Sequence, residues 1–340
     1  MSLFPPLLLS IDCCDPRTVV GLVWGDQVVA MAETPAEVRS AISLVPTIRS
    51  LYQTAALRYE QIIAPHIPEL QKQNARKPLG FGDTRVVAVT YGPGSFTSLR
   101  IGLTVAKTLA YSHRLPLLGI NSLDVLLAAS RTTCLHQQSS GFSAESCSNS
   151  QTIHDDNQPV QPKLAWATKV AYRGLYYHKA VLFKGERVSS PPNEVLNDRI
   201  AAYLSSQKQG LFHSPDSERS LSTWACSQPE ASETAVPERA DSVFWQTIST
   251  TQMNSIGDLR AQLNQGHNST PMLIVGDLGA DLAAMKDSAV HLPNPTPDQR
   301  VAAMSQLAWQ TLATTPLELW NPMLVQPTYY RVSAAEEATR

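Results

Sequence analysis

"VVAVTYGPGSFTSLRIGLTVAKTLAY", residues Val86–Tyr111, decides the fold. Its opening, with Arg85–Thr90, reads as a buried strand. Gly92-Pro93-Gly94 reads as a sharp turn, and the remainder as a long helix. Glycines at 92 and 94 leave the turn free to take positive φ, and Ser95 or Thr97 is placed to cap the helix. Such a joint can cradle a phosphate, present a nucleophile, or simply pack. The stretch lacks the Lys of a P-loop and the G-x-G-x-x-G order of a dinucleotide site. It also fails G-x-S-x-G, because Ser95 follows Gly94 directly. A structural turn at Gly92, Pro93, Gly94 and Ser95 is the plain reading, and an anion at the helix N-terminus is the alternative.

Along the helix, Arg100, Thr104, Lys107 and Tyr111 form a narrow polar stripe, and most other positions are apolar or small. An amphipathic helix on a sheet needs an apolar stripe of only about 100°, so this one has apolar surface to spare. Gly102, Ala106 and Ala110 recur every fourth residue, a spacing that lets a neighbour approach closely. Two readings follow. Either the helix is buried within its own lobe, or it packs on the sheet with one side and on a partner protein with the other. In the second case Leu99, Gly102, Leu103, Ala106 and Ala110 form the partner surface.

Upstream, Leu7–Asp12 and Thr18–Trp24 read as strands, Gly25-Asp26 as a hairpin turn, and Gln27–Glu33 as a third strand. From Ala36 to about Ala64, Val38, Ile42, Val45, Ile48 and Leu51 keep helical spacing, with a kink or break expected at Pro46. Downstream, Leu115–Ile120 reads as a strand and Ser122–Ser130 as a helix. The order predicts a mixed sheet with helices on its faces. Residues 131–163 are poor in large apolar side chains and read as a polar linker or insertion.

The first pattern then restarts. Leu164–Val170, Leu175–Phe183 and Glu186–Ser190 read as strands and Val195–Leu204 as a helix. A second polar insertion spans about 207–270, with a short helix near Ser255–Leu263. Pro271–Val275 is a strand leading into Gly276-Asp277-Leu278-Gly279, Pro297–Leu312 a helix, and Val325–Arg331 an extended end. The expected division is an N-terminal lobe at 1–130, the linker at 131–163, a C-terminal lobe at 164–331 and a tail at 332–340.

The bulk numbers exclude several classes. A 340-residue chain with 43% apolar residues builds real cores, and a net charge of −2 gives no overall pull toward nucleic acid or anionic lipid. The odd cysteine count, with adjacent Cys13 and Cys14 and no C-x-x-C, points to a reducing cytoplasm. No signal peptide or membrane-length apolar span is expected. No two of the eight histidines lie three to five residues apart, so helix-borne zinc ligands are not expected.

GPGSFTSLRIG, followed by AKTLAYSHRLPLLGINSLDVLL, resembles the bacterial TsaB (YeaZ) family, whose motif reads GPGSFTGLRIG. LLLSID at the first strand, AYRGLYYHKAVLF at 171–183 and PTYYR at 327–331 resemble further family motifs in the right order. The likeness is good over Leu7–Ala128, loose over Lys163–Leu204 and Pro271–Arg331, and absent from both insertions. The chain departs from the family at Ser98 (usually Gly), at Cys13-Cys14-Asp15-Pro16, and at Val170 and Tyr172, where the family tends to have Asp and Arg.

The resemblance implies an α/β, actin-like (RNase H-like) two-lobed ASKHA fold, with mixed sheets flanked by helices. It implies a scaffold subunit without catalytic residues or metal, which pairs through N-terminal-lobe helices with the paralogous TsaD transferase. The assembly includes a TsaE-type ATPase and makes N6-threonylcarbamoyladenosine at position 37 of tRNAs that read codons beginning with A. Alone, such a chain is expected to form a homodimer. It would meet tRNA only through the complex, and ATP only at the partner junction. Asp12 and Gly276 are candidates for a remnant nucleotide or ion contact. The alternatives are a stand-alone actin-fold ATP-dependent phosphotransferase and a peptidase of glycoprotease descent.

Overall fold

The computed structural model describes residues 5–15, 17–35, 38, 40–62, 80–139, 164–171, 175–184, 190–208, 242, 244–266, 272–277, 289–292 and 294–328, with side chains at all of these except 59–62, 132–139, 263–266, 272 and 289–291. Residues 186–189 of the expected strand at Glu186–Ser190, Tyr172, Leu278-Gly279, Tyr329–Arg331, and most of both polar stretches lie outside the described residues.

Strand β1 (Leu7–Asp12) is buried along its whole length, because it has a neighbour on each edge and helices on each face. It pairs antiparallel with β2 (Val19–Trp24) and parallel with β4 (Thr84–Gly92). β3 (Gln27–Glu33) completes the hairpin and β5 (Leu117–Asn121) extends the parallel side, giving the order β3-β2-β1-β4-β5. The hairpin turns at Gly25, whose φ of +58° favours glycine.

Alternation along β1 sorts the two faces. Leu7, Leu9 and Ile11 share one cluster with Leu44, Ile48 and Leu51 of α1 (Ser40–Ile62) and with Leu99 and Leu103 of α2 (Phe96–Ser112). Ser10 and Gly21 point the other way. A Cβ on Gly21 would stand 2.4 Å from Val301 of α6 (Pro297–Thr314), so the missing side chain is what seats α6 on that face. Val301, Met304, Leu307, Ala308 and Leu312 of α6 are all buried, as the spacing predicted, and Trp309 Nε1 donates to Gly25 O at 2.8 Å. α4 (Asn193–Lys208) packs on α6, with Arg199 donating to the carbonyls of Leu312 and Thr315 at its end.

The second sheet repeats the plan. β6 (Leu164–Val170), β7 (Leu175–Phe183) and β8 (Trp245–Ser255) are antiparallel, and β9 (Met272–Gly276) and β10 (Ala289–Leu292) continue in parallel, in the order β10-β9-β6-β7-β8. Helices α3 (Ser122–Ser139) and α5 (Ile256–Gly266) belong with it, α3 from Leu123 onward. The chain thus forms two compact units, each built on the same five-strand order, and the expected α/β actin-like layout holds.

Several expectations are corrected. The units are not contiguous: α4 and α6 belong with the first sheet and α3 with the second, because α6 lays its apolar face on β2 and β3. The third strand of the second sheet is β8, inside the stretch read as a polar insertion. Of the large apolar residues in its sequence, WQTISTTQMNS, only Trp245 at its start is buried; Ile248 is exposed. α1 runs unbroken through Pro46, which sits on the exposed side of the helix.

The small residues of α2 face inward. A Cβ on Gly102 would lie 2.3 Å from both Cβ and Sγ of Cys13. Gly102→Ala is therefore expected to destabilise the first unit by about 1–3 kcal/mol through overpacking, although alanine is favoured over glycine by about 1 kcal/mol in an open helix. Denaturant melts of Gly102→Ala, Cys13→Gly and the double variant measure it. The double should lose less than the sum of the singles, and strict additivity would contradict the contact.

Candidate functional site

The glycine turn is filled by its own chain. A Cβ on Gly94 would lie 2.4 Å from Cys14 O and 2.7 Å from Cys14 Cα. Gly92 has a φ of +123°, and a Cβ there would lie 3.0 Å from Thr328 O. Ser95 N–H donates to Cys14 O at 2.8 Å, Thr328 N–H to Tyr91 O at 3.0 Å, and Ser122 Oγ to Pro93 O at 2.5 Å. Ser95 takes the N-cap position but makes no side-chain capping bond; its hydroxyl instead partners Ser98 Oγ at 3.1 Å. The joint is a packing device, and Ser98, where the family has glycine, ties the first turn together.

Asp12 ends β1 where an actin-fold phosphotransferase would need a free carboxylate, and here both oxygens are engaged. Oδ2 accepts from Arg300 Nε at 2.8 Å and Nη2 at 2.5 Å. Oδ1 accepts from the Thr90 hydroxyl at 3.1 Å and Cys14 N–H at 3.4 Å. Asp15 also reaches Arg300, at 2.9 Å. Burial pulls the guanidinium down, but Asp12 and Asp15 more than reverse it, so Arg300 is held above its ordinary value. Cys13 N–H donates to Thr90 Oγ1 at 2.9 Å, and burial pushes the Cys13 thiol well up, leaving it a buried apolar side chain.

Gly276, in the second unit, is also a close-approach position. Its φ is +106°, and a Cβ would stand 1.9 Å from Thr168 O. Asp277 N–H donates to Thr168 O at 3.1 Å, and the Asp277 carboxylate accepts from Val170 N–H and Asn294 Nδ2. Among the described residues no three His, Cys, Asp or Glu side chains gather as a metal set.

The five residues expected at a partner contact, Leu99, Gly102, Leu103, Ala106 and Ala110, are all buried in the first unit's own core. A partner reaches none of them without unpacking the helix. What α1 and α2 turn outward is a second set of apolar side chains. On α1, Ile42 is 69% exposed, Val45 58% and Leu57 82%, while Phe96 (47%) and Tyr111 (60%) stand out from α2. On α1 these interleave with Leu44, Ile48 and Leu51, which face in. The signal was present in the sequence, because the apolar positions of α1 fit two faces rather than one. Arg100 and Thr104 are exposed on the same helix, and Arg100 stacks over the Phe96 ring at 4.0 Å.

The second unit holds a buried polar cluster. Lys179 pairs with Asp124 at 2.7 Å. His178 stacks on Trp166 at 5.4 Å and its Nε2 meets Asn254 Oδ1 at 3.0 Å.

A family model described as "TsaD: tRNA N6-adenosine threonylcarbamoyltransferase" matches residues 53–141, from the middle of α1 past the glycine turn and through α3. The "tRNA threonylcarbamoyladenosine biosynthesis protein TsaB" of Bacillus subtilis is 35% identical over 89 residues, covering 23% of this chain and 39% of that protein. The "tRNA N6-adenosine threonylcarbamoyltransferase" of Carboxydothermus hydrogenoformans is 31% identical over 121 residues, 35% of this chain and 33% of that protein. Its counterpart in Desulfitobacterium hafniense is 52% identical over 46 residues, 14% of each. The chain therefore spans between 14% and 39% of the length of these curated relatives. A crystal structure from Pseudomonas aeruginosa, of a protein described as similar to peptidase YEAZ, aligns with TM-score 0.50 over 96% of this chain and 100% of that one at 11% identity, which shows the shared fold. The resemblance to the TsaB (YeaZ) family read from the motifs is borne out.

Two outcomes test the buried networks. Arg300→Met should cost about 3–5 kcal/mol by leaving Asp12 buried without its counter-ion, and Asp12→Asn/Arg300→Met should recover part of that in urea melts. Burial holds the His178 imidazole below its usual 6.5. The unfolded chain then binds a proton that the folded chain refuses. Stability is full above that pH and declines as pH falls through it, until the folded imidazole itself protonates. His178→Gln should flatten this acid limb in melts between pH 5 and 7.5 (about the window around an ordinary histidine).

Proposed function

We propose that this chain is a non-catalytic docking subunit of the machinery that forms N6-threonylcarbamoyladenosine at position 37 of tRNAs reading codons that begin with A. It pairs with a TsaD-type transferase, and the transferase carries the chemistry. The observation that carries this reading is the outward face of α1 and α2, where Ile42, Val45, Leu57, Phe96 and Tyr111 stay in water while a complete core lies beneath them. Exposed apolar side chains gathered on two adjacent helices mark an interaction surface. The likeness to TsaB and TsaD proteins supplies the kind of partner.

Asp12 supports the non-catalytic half of the reading. A carboxylate already saturated by Arg300, Thr90 and Cys14 has no lone pair left for a magnesium-bound phosphate. ATP then belongs to the junction with the transferase and to a TsaE-type ATPase, and tRNA contacts the assembly rather than this chain alone. The same face is where two copies would meet when the partner is missing. A cytoplasmic location accords with this role, and no described helix is long and apolar enough to cross a membrane.

Leu57→Asp tests the proposal. The side chain is exposed, so the variant should keep wild-type circular dichroism and melting, yet fail to co-elute with the TsaD-type subunit on size exclusion. Co-elution equal to wild type would remove the docking face. The purified chain alone should show no ATP turnover.

A further inference from the structure

Arg300 stands one residue before Val301, whose side chain fills the space left by Gly21. That seat fixes the start of α6 on the sheet and brings the guanidinium to the end of β1. There its Nη2 lies 2.5 Å from Asp12 Oδ2 and 2.9 Å from Asp15 Oδ2. The two acids bracket Cys13-Cys14, so one cation holds both ends of that segment. Thr90 holds its middle: the hydroxyl donates to Asp12 Oδ1 at 3.1 Å and accepts from Cys13 N–H at 2.9 Å.

Cys13-Cys14 is in turn the seat of α2. Ser95 N–H donates to Cys14 O at 2.8 Å. Gly94 leaves room for the Cys14 backbone, and Gly102 for the Cys13 side chain. These contacts span the N-cap and the first two turns of α2, the part that carries Phe96 and Arg100 outward. The far half of the helix has its own anchorage. Ala106 and Ala110 lie in the core cluster, and Leu115 N–H donates to Ala110 O at 2.8 Å. Without the guanidinium, Asp12 and Asp15 become neighbouring like charges on either side of the seat, and the buried one loses its counter-ion. Cys13-Cys14 then shifts, and the first turns of α2 shift with it, because a close-packed contact transmits strain.

Resting on the docking function proposed above, we infer that Arg300 is a positioning residue for the docking helix: through Asp12, Asp15 and Cys13-Cys14 it sets how the first two turns of α2 present Phe96 and Arg100 to the partner. It acts through the fold, since Asp12, Cys13 and Cys14 are all buried. A binding surface loses affinity when the layer that supports it loosens, even with its contact residues intact.

The experiment uses the full chain, with hydrogen–deuterium exchange on the chain alone and calorimetry against the purified TsaD-type subunit, at a temperature where circular dichroism shows each variant folded. Arg300→Met should speed exchange over Ser95–Gly102 and leave Leu103–Ser112 and Ser40–Ile62 as in wild type. It should weaken partner binding about ten-fold. Arg199→Met is the comparison. Arg199 also belongs to the first unit, but it donates to the carbonyls of Leu312 and Thr315 at the far end of α6. Its loss should lower the melting temperature and leave both the Ser95–Gly102 exchange and the partner affinity unchanged. If Arg300→Met does not fold, Arg300→Lys decides. An ammonium still neutralises the two acids but cannot hold Asp12 through two nitrogens, so it should give the same exchange pattern and a loss of about three-fold. Wild-type exchange at Ser95–Gly102 in the variant that folds would overturn the inference. So would wild-type affinity in that variant, or an equal loss of affinity in Arg199→Met. If Leu57→Asp abolishes binding while the Arg300 variant binds as wild type, the docking reading survives and only the positioning role falls. If Leu57→Asp leaves binding intact, the docking reading fails first, and the positioning role falls with it.

Discussion

The first unit depends on one close approach. α2 lies against the Cys13-Cys14 segment with no side chain at Gly102 and none at Gly94, so helix and loop touch backbone to side chain. That contact fixes which way α2 is turned. Leu99, Leu103, Ala106 and Ala110 follow Gly102 into the core, and the opposite stripe has no choice but to face outward. Each fully buried leucine on that side contributes on the order of 1.5–3 kcal/mol, so rotating the helix to present its small residues to another protein would forfeit the burial of Leu99 and Leu103. The outward stripe is thus a consequence of packing, and any docking role is built on what packing leaves over.

A second constraint keeps the end of β1 closed. Arg300 arrives from α6, far along the chain, and binds the carboxylates of Asp12 and Asp15 while Thr90 and Cys14 hold the remaining oxygen of Asp12. The first strand's acid is thus held in a closed network of hydrogen bonds and ion pairs. The closed network accords with the docking role proposed above, which asks for no free acid at the end of β1.

Much of the architecture was legible in the sequence. β1, β3, β6 and β7 fall at the boundaries that alternation and turn residues predict, because each combines a dense apolar run with a clear stop. β8 escaped because an edge strand needs little apolar content; its Thr, Ser and Gln side chains read as linker. The direction of the α2 small-residue stripe was not readable either. Gly102, Ala106 and Ala110 permit a close neighbour whether it is a partner helix or the chain's own loop, and only Cys13, some ninety positions earlier in the chain, decides between them. Arg300 had no local signal at all, since its role depends on α6 crossing the first sheet. For α1, the apolar periodicity was visible, but Ile42 and Val45 were grouped with the inward residues because one helix was assigned one apolar face.

The most direct test of the docking account is hydrogen–deuterium exchange on the full chain with and without the TsaD-type transferase. The account predicts added protection in peptides covering Ser40–Ile62 and Phe96–Ser112, with Leu164–Phe183 unchanged. Stable binding accompanied by protection elsewhere, and none on those two helices, would contradict it.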